Sequence, residues 1–354
     1  MKRLSILLLT LILVLSVLTG CGGNTTTAPT TEPTTEPTTG NEQDEQDEEV
    51  KTITLELAFN QNEAHPQYMA MKEFGETLYE KTNGAYNVEI FPNELLGAQK
   101  ETVEMVQSGT IAMSLAGGSL MESWNPDFSV FNLPYVFDSI EHQRAIVNDP
   151  EVTGDLYEST ADDGIIVIAA FHGGVRNVYT DVGPINTPAD LKGLQIRVMQ
   201  SDTNLKMMEL MGGIGIAMGQ GEVYTAVQTG VLDGGENNEL IYTSLLHTEV
   251  APYYSYTQHL MVPDYLVINT NIWNDMPDDV KTVFREELDK AIEYEYDVFA
   301  EAVEDAKKVA IDAGANFNDA DMAAFQEAVA PLTESKLTTD VTKNIYAAMR
   351  AWNK

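Results

Sequence analysis

Apolar and polar residues alternate over residues 51–59, so that Ile53, Leu55, Leu57 and Phe59 share one face, a strand signature. Over 64–81 the period becomes helical, through Tyr68, Met71, Phe74 and Leu78, and Asn83-Gly84 supplies a stop. Residues 86–91 predict a second strand. Residues 99–107 predict a helix closed by Ser108-Gly109, 111–115 a third strand, and 165–171 a further, near-continuous apolar strand. Strand, helix, strand, helix, strand implies an α/β layer with a parallel core.

Two longer-range patterns add to this. Val106-Gln-Ser-Gly-Thr-Ile-Ala112 is echoed by Val227-Gln-Thr-Gly-Val-Leu-Asp233, each at a helix end followed by a short apolar run, which predicts two similarly built lobes. Residues 278–313 contain neither glycine nor proline, and Val280, Phe284, Leu288, Ile292, Phe299 and Val303 form a helical stripe. As one helix this would be ~54 Å long, enough to lie across both lobes; the alternative is two helices with an unmarked break.

Lys2 and Arg3 precede an almost purely aliphatic run over 4–17. At roughly 21 Å as a helix it is too short for the ~30 Å core of a bilayer and reads as a signal h-region. The run closes at Leu18-Thr-Gly-Cys21, which resembles the lipobox of bacterial lipoproteins; Cys21 is then the expected lipidation site. Cys21 is the chain's one cysteine, so no intramolecular disulfide or cysteine metal site forms. Residues 22–50, with Thr-Thr-Glu-Pro repeats and an acidic run, lack the apolar content to fold and read as a disordered linker. The expected organisation is 1–20 signal peptide, 21–50 linker, 51–174 plus 263–302 lobe I, and 175–262 plus 303–354 lobe II. A lipid anchor outside the cytoplasm follows.

The 354-residue chain carries 55 acidic against 20 basic residues, a net charge of −35. That excludes a nucleic-acid surface, which needs basic patches. Any anion site must be a local cluster of donors. Histidines 65, 142, 172, 247 and 259 make no close metal spacing, and neither a G-x-S-x-G elbow nor a P-loop occurs. Met211-Gly-Gly-Ile-Gly-Ile-Ala-Met-Gly219 follows a helix rather than a strand, the wrong order for a dinucleotide fingerprint. No catalytic residue, metal or cofactor is therefore expected.

The positive signal is arginine. There are only six, and two sit in strand-like runs: Arg176 in Gly173-Gly-Val-Arg-Asn-Val-Tyr179 and Arg197 in Leu191-Lys-Gly-Leu-Gln-Ile-Arg-Val-Met199. A guanidinium stays charged and is costly to desolvate, so a partly buried one needs an anion. On neighbouring strands the two would offer a carboxylate several charge-assisted donors; the alternative is that each pairs with a structural acid. Gly173-Gly174 reads as a hinge. Asn237 and Asn238 suit a ligand contact or a helix cap. Asn60 ends the first strand, where α/β sites commonly lie, and Phe171 would stack on a sugar ring or fill the core.

Together Leu191–Met199, Gly221-Glu-Val-Tyr-Thr-Ala-Val-Gln-Thr-Gly-Val-Leu-Asp-Gly234 with Glu236-Asn237, and Asn132-Leu-Pro-Tyr-Val-Phe137 resemble the solute-binding proteins of tripartite ATP-independent periplasmic (TRAP) transporters, over about residues 51–340. The resemblance implies a two-lobed, type II-like periplasmic-binding-protein fold with an interlobe cleft and a long helix spanning both lobes. It implies a monomeric receptor that delivers an organic acid to a sodium-coupled membrane permease. Arg197 matches the family's carboxylate-gripping arginine, Arg176 a second contact arginine, and Asn237 the amide joining them; Asn60 and Gln99 match contacts from the first lobe. Asn238 stands where proline is usual and Gln99 where an acid is common. Gly117 and Leu120 replace the charged contacts of sialate binders. The motif style resembles uronate binders; a C4-dicarboxylate, another monocarboxylate, or a sensor lobe without transport are the alternatives.

Overall fold

The structure is a computed structural model and describes residues 51–352. The signal peptide, the Cys21 lipidation site and the linker fall outside the described residues.

In chain order the strands are β1 (Ile53–Phe59), β2 (Tyr86–Phe91), β3 (Met113–Gly117), β4 (Ile165–His172), β5 (Arg176–Thr180), β6 (Gln195–Val198), β7 (Ile214–Ala217), β8 (Gly234–Asn237), β9 (Tyr253–Leu260), β10 (Pro263–Asn269) and β11 (Asn316–Asp319). They form two sheets. Lobe I has the order β2-β1-β3-β10-β4; lobe II has β11-β9-β5-β8-β6-β7. β1 runs parallel to β2 and β3, while β10 runs antiparallel to β3 and β4. Lobe II repeats this: β6 is parallel to β7 and β8, and β5 antiparallel to β8 and β9. The expected parallel core is present in β2-β1-β3, and one antiparallel strand added to it makes each lobe's sheet mixed. The odd strand, β10 or β5, arrives from the other lobe by a short crossover instead of through a helix.

The sequence echo lies at equivalent places in the two sheets. The helix Gln99–Gln107 ends at Gly109, with φ of 73°, before β3; the helix Val223–Gln228 ends at Gly230, with φ of 72°, before β8. In both, a left-handed glycine closes the helix and turns the chain into the strand that pairs with the lobe's antiparallel one.

The chain crosses between lobes at 173–175, after β4, and at 261–262, after β9. The crossovers touch: a Cβ on Gly173 would lie 2.5 Å from the Val262 carbonyl oxygen. At Gly174, φ is 80° and a Cβ would lie 2.4 Å from Asn238 Nδ2, so this position admits only glycine. The third link is one unbroken helix, Asp278–Asp312, about 52 Å long. Its stripe packs on the lobe I helix Pro66–Lys81, through Phe74 and Phe284 at 4.8 Å, and further along on the lobe II helix Glu239–Ser244, where Thr243 Oγ1 donates to the Ala306 carbonyl at 3.1 Å. The helix Met322–Lys336 packs on lobe II. The last helix, Asp340–Ala351, expected with lobe II, instead packs on lobe I segments, including Pro126–Asn132 and Pro150–Tyr157. Its burial of Ile345 and Met349 joins a core shared by both lobes. Among the described residues no helix is long and apolar enough to cross a membrane.

Candidate functional site

The cleft between the lobes has walls that include Arg176, Arg197, Asn237 and Met199 from lobe II and Gln61, Gln99, Gly117 and Asp264 from lobe I. The walls are largely polar, and the strands explain why. Ile196 and Val198 face the core, so alternation along β6 turns Arg197 to the opposite side. Arg176 heads β5, directly after the Gly173-Gly174 crossover.

The two arginines lie on next-but-one strands, with β8 between them, and not on adjacent strands as the sequence suggested. That intervening strand separates their roles. It carries Glu236, fully buried, whose carboxylate takes Arg176 in a bidentate grip: Nε donates to Oε2, and Nη2 to Oε1 at 2.8 Å. Nη2 also donates to the Glu236 carbonyl at 2.8 Å, and Nη1 to Asn237 Oδ1 at 3.0 Å. Arg176 is thus neutralised by the chain's own acid. Burial opposes ionisation of Glu236, but Arg176 overcomes it, with His259 Nε2 at 3.5 Å assisting, and pulls the carboxyl down to about 2. For Arg176 the same pairing outweighs burial and raises its pKa.

Arg197 is different. It is 5% exposed, yet among the described residues no carboxylate lies within ion-pair distance, and its one protein acceptor is the Met218 carbonyl, 2.9 Å from Nε. Burial lowers its pKa; Glu236 works against this and the Arg176 charge adds to it. A guanidinium remains charged at neutral pH even so. The cleft wall therefore presents one guanidinium charge with no acid paired to it.

The remaining expected site residues take different places. Gln99 lines the cleft, its Oε1 accepting from the Gly117 N–H at 3.2 Å. Asn60 sits at the end of β1, one residue before the cleft-lining Gln61, and its Nδ2 donates to Gln220 Oε1 at 3.3 Å. Phe171 does not reach the cleft: it is fully buried in the apolar cluster of lobe I, beside Leu57, Leu266 and Phe299's helix neighbour Ile292. Asn238 caps the helix Glu239–Ser244, accepting from the Ile241 N–H at 3.0 Å.

Sequence reasoning missed four members of the site. Glu236 was visible as an acid next to Asn237 in the quoted motif, but its direction became clear only from the β5–β8 register, which pairs Asn177 with Asn237 and Val178 with Glu236. Gln61 and Gln220 join the lobes directly. Gln61 Nε2 donates to Gln220 Oε1 at 3.3 Å, and Gln220 Nε2 returns to Gln61 Oε1 at 3.1 Å. Asp264 left one trace, an acid near the head of the otherwise apolar β10.

A two-lobed sheet architecture with an anion-ready cleft narrows the protein class, and comparison with known proteins defines it. The sequence pattern of the bacterial extracellular solute-binding protein, family 7 (DctP), matches residues 57–339. An uncharacterised protein of Salmonella typhimurium, YiiZ, is 37% identical over 279 residues, 78% of this chain and 85% of that protein. The Escherichia coli 2,3-diketo-L-gulonate-binding periplasmic protein YiaO is 28% identical over 292 residues, 81% of this chain and 88% of that protein. A TRAP periplasmic solute-binding protein from Anaerococcus prevotii, crystallised with α/β-D-glucuronate, superposes with a TM-score of 0.82 at 38% identity, covering 85% of this chain and 97% of that one. One from Xanthobacter autotrophicus, with bound β-D-galacturonate, gives 0.81 at 29% identity over 84% and 100%. The chain belongs to the family 7 extracellular solute-binding proteins and is a ligand-capturing receptor of a TRAP transporter, working outside the cytoplasm.

Proposed function

We propose that this protein captures a uronate or a closely related sugar monoacid and passes it to a sodium-coupled membrane permease. The observation that carries this is Arg197: a buried guanidinium on the cleft wall with a single carbonyl partner and no paired acid. One such charge suits one carboxylate, and two charge-assisted hydrogen bonds to it contribute about 3–6 kcal/mol. Gln99 and Asn237 add polar contacts from opposite lobes. Arg176, already held by Glu236, fixes Asn237 and lends its positive field rather than a free charge. Asn60 acts through Gln220, and Phe171 supports the lobe I wall from behind. The proteins of known structure that carry glucuronate and galacturonate favour this ligand class.

Closure follows from the same geometry. Ligand touching both lobes favours the closed arrangement in proportion to its extra contacts there. Cys21 is the anchor, joined through the acidic linker to a monomeric receptor at the outer membrane face. Thermal-shift and calorimetric screening of D-glucuronate, D-galacturonate, C4-dicarboxylates and neutral sugars tests the ligand class. Stabilisation by neutral sugars with every carboxylate inactive would overturn it.

A further inference from the structure

Among the described residues lining the cleft, lobe I contributes one acid, while Glu94 of the same lobe acts on Arg197 through its charge without an ion pair. Asp264, at the start of β10, is held in a fixed orientation: its Oδ2 accepts from Gln67 Nε2 at 2.9 Å. Gln67 is itself buried and locked, since the same nitrogen donates to the His172 carbonyl at 3.0 Å. The other oxygen, Oδ1, has no protein donor among the described residues, and Asp264 lines the cleft. The space beside Oδ1 is kept clear by two glycines. A Cβ on Gly173 would lie 3.0 Å from Oδ1, and one on Gly117 would lie 3.7 Å away.

We propose that Asp264 is a specificity-determining acceptor, taking a hydroxyl hydrogen bond from the sugar acid while excluding ligands with a second carboxylate at that end. The proposal rests on the sugar-acid reading of the cleft. A carboxylate is acceptor-only when ionised, so Oδ1 rewards an O–H and repels another carboxylate. Arg197 and Asp264 come from different lobes, so a ligand with an acid at one end and hydroxyls at the other satisfies both only in the closed arrangement. A dicarboxylate would meet the guanidinium at one end and a like charge at the other. Burial raises the Asp264 pKa, while the hydrogen bond from Gln67 and the charge of Arg176 work against this and favour the ionised form.

The test is calorimetric titration of wild type and Asp264→Asn with D-glucuronate and with D-glucarate, the corresponding chain bearing two carboxylates. Asparagine keeps an oxygen for Gln67, so the fold is preserved. Wild type should prefer glucuronate by at least about 100-fold. The variant should bind glucuronate about 10–100-fold more weakly and glucarate more tightly, reducing the preference below tenfold. A second variant, Gly117→Ala, leaves Asp264 untouched at a φ of −57° that alanine accepts, and should weaken glucuronate binding at least tenfold by filling the space beside Oδ1. The proposal is overturned if Asp264→Asn keeps the wild-type preference within threefold, if wild type binds both acids equally, or if Gly117→Ala binds as wild type does. Failure of the underlying reading looks different: wild type then binds no uronate at all.

Discussion

Replacing Arg197 with alanine separates affinity from stability, because its partner in the fold is so slight. The side chain gives the protein one hydrogen bond, to the Met218 carbonyl, and its burial, opposed by the Glu236 charge and reinforced by that of Arg176, leaves its pKa lowered. Its proposed gain comes from a ligand carboxylate. Two charge-assisted bonds at ~1.5–3 kcal/mol each set the loss at about 3–6 kcal/mol, a rise in Kd of roughly 10²–10⁴. The ligand-free variant should melt at or near the wild-type temperature, since a desolvated cation has been removed. Arg176→Ala is the contrasting case. It strands Glu236, fully buried, without its bidentate partner; an uncompensated buried charge costs about 3–5 kcal/mol, or roughly 5–15 °C in Tm for a chain of this size. Calorimetric titration with D-glucuronate and scanning calorimetry without it measure both quantities on both variants. An Arg197→Ala protein that binds within threefold of wild type, or whose ligand-free Tm falls as far as that of Arg176→Ala, would show that Arg197 is structural and refute the reasoning.

Acid should loosen the fold in two windows. His65 and His172 are held neutral by burial, down to about 3, so below the ordinary value near 6.5 the unfolded chain takes up protons that the fold refuses. Stability then falls by about 1.4 kcal/mol per pH unit for each, and His65→Asn, which keeps an acceptor for the Gln67 N–H, should flatten urea midpoints measured between pH 7 and 5. Glu236 adds a lower window: its depressed pKa stabilises the fold above about 4.5 and that gain, on the order of 3 kcal/mol, disappears as pH falls toward 2; an Arg176→Ala, Glu236→Gln double variant should lack this step in acid-unfolding curves. Gln220→Ala removes the amide contacts to Asn60 and Gln61 and should shift the ligand-free receptor toward an open form, seen as a larger radius of gyration in X-ray scattering and a several-fold weaker Kd; unchanged scattering would mean that the glutamine contacts do not hold the lobes. Gly174→Ala must adopt φ of 80° and collide with Asn238, so it should lower Tm by several degrees and weaken binding; a wild-type melting curve would contradict the crossover geometry.

Much of the fold was legible because it is written in local periods. Alternation located β1, a near-continuous apolar run located β4, and the helical stripe without glycine or proline marked out the long connecting helix to within one residue of its observed end. The echo of Gln-Ser-Gly and Gln-Thr-Gly pointed to two lobes of like construction, since both mark a glycine-closed helix feeding the same strand position. Strand direction was less legible. Nothing local distinguishes a strand that arrives through a helix from one that crosses a hinge, so the antiparallel direction of β5 and β10 was not readable from the sequence. The last helix returned to lobe I for a similar reason: its apolar face specifies burial but not the surface that buries it.

The sequence by itself determined that this acidic chain spends two of its few arginines inside apolar strands, in an α/β protein of two lobes. It did not determine which arginine is available to a ligand. Arg176 and Arg197 look alike in sequence, each set among valines and isoleucines. Only the tertiary structure tells them apart, because β8 turns Glu236 toward one and leaves the other with a lone carbonyl. The Gln61–Gln220 contact, between residues 159 apart in sequence, and the placement of Asp264 across from the arginines, were also decided there. Periodicity is a property of neighbours along the chain and therefore reports which face a side chain takes. Charge compensation is a property of neighbours in space, set by strand register and by how two lobes meet.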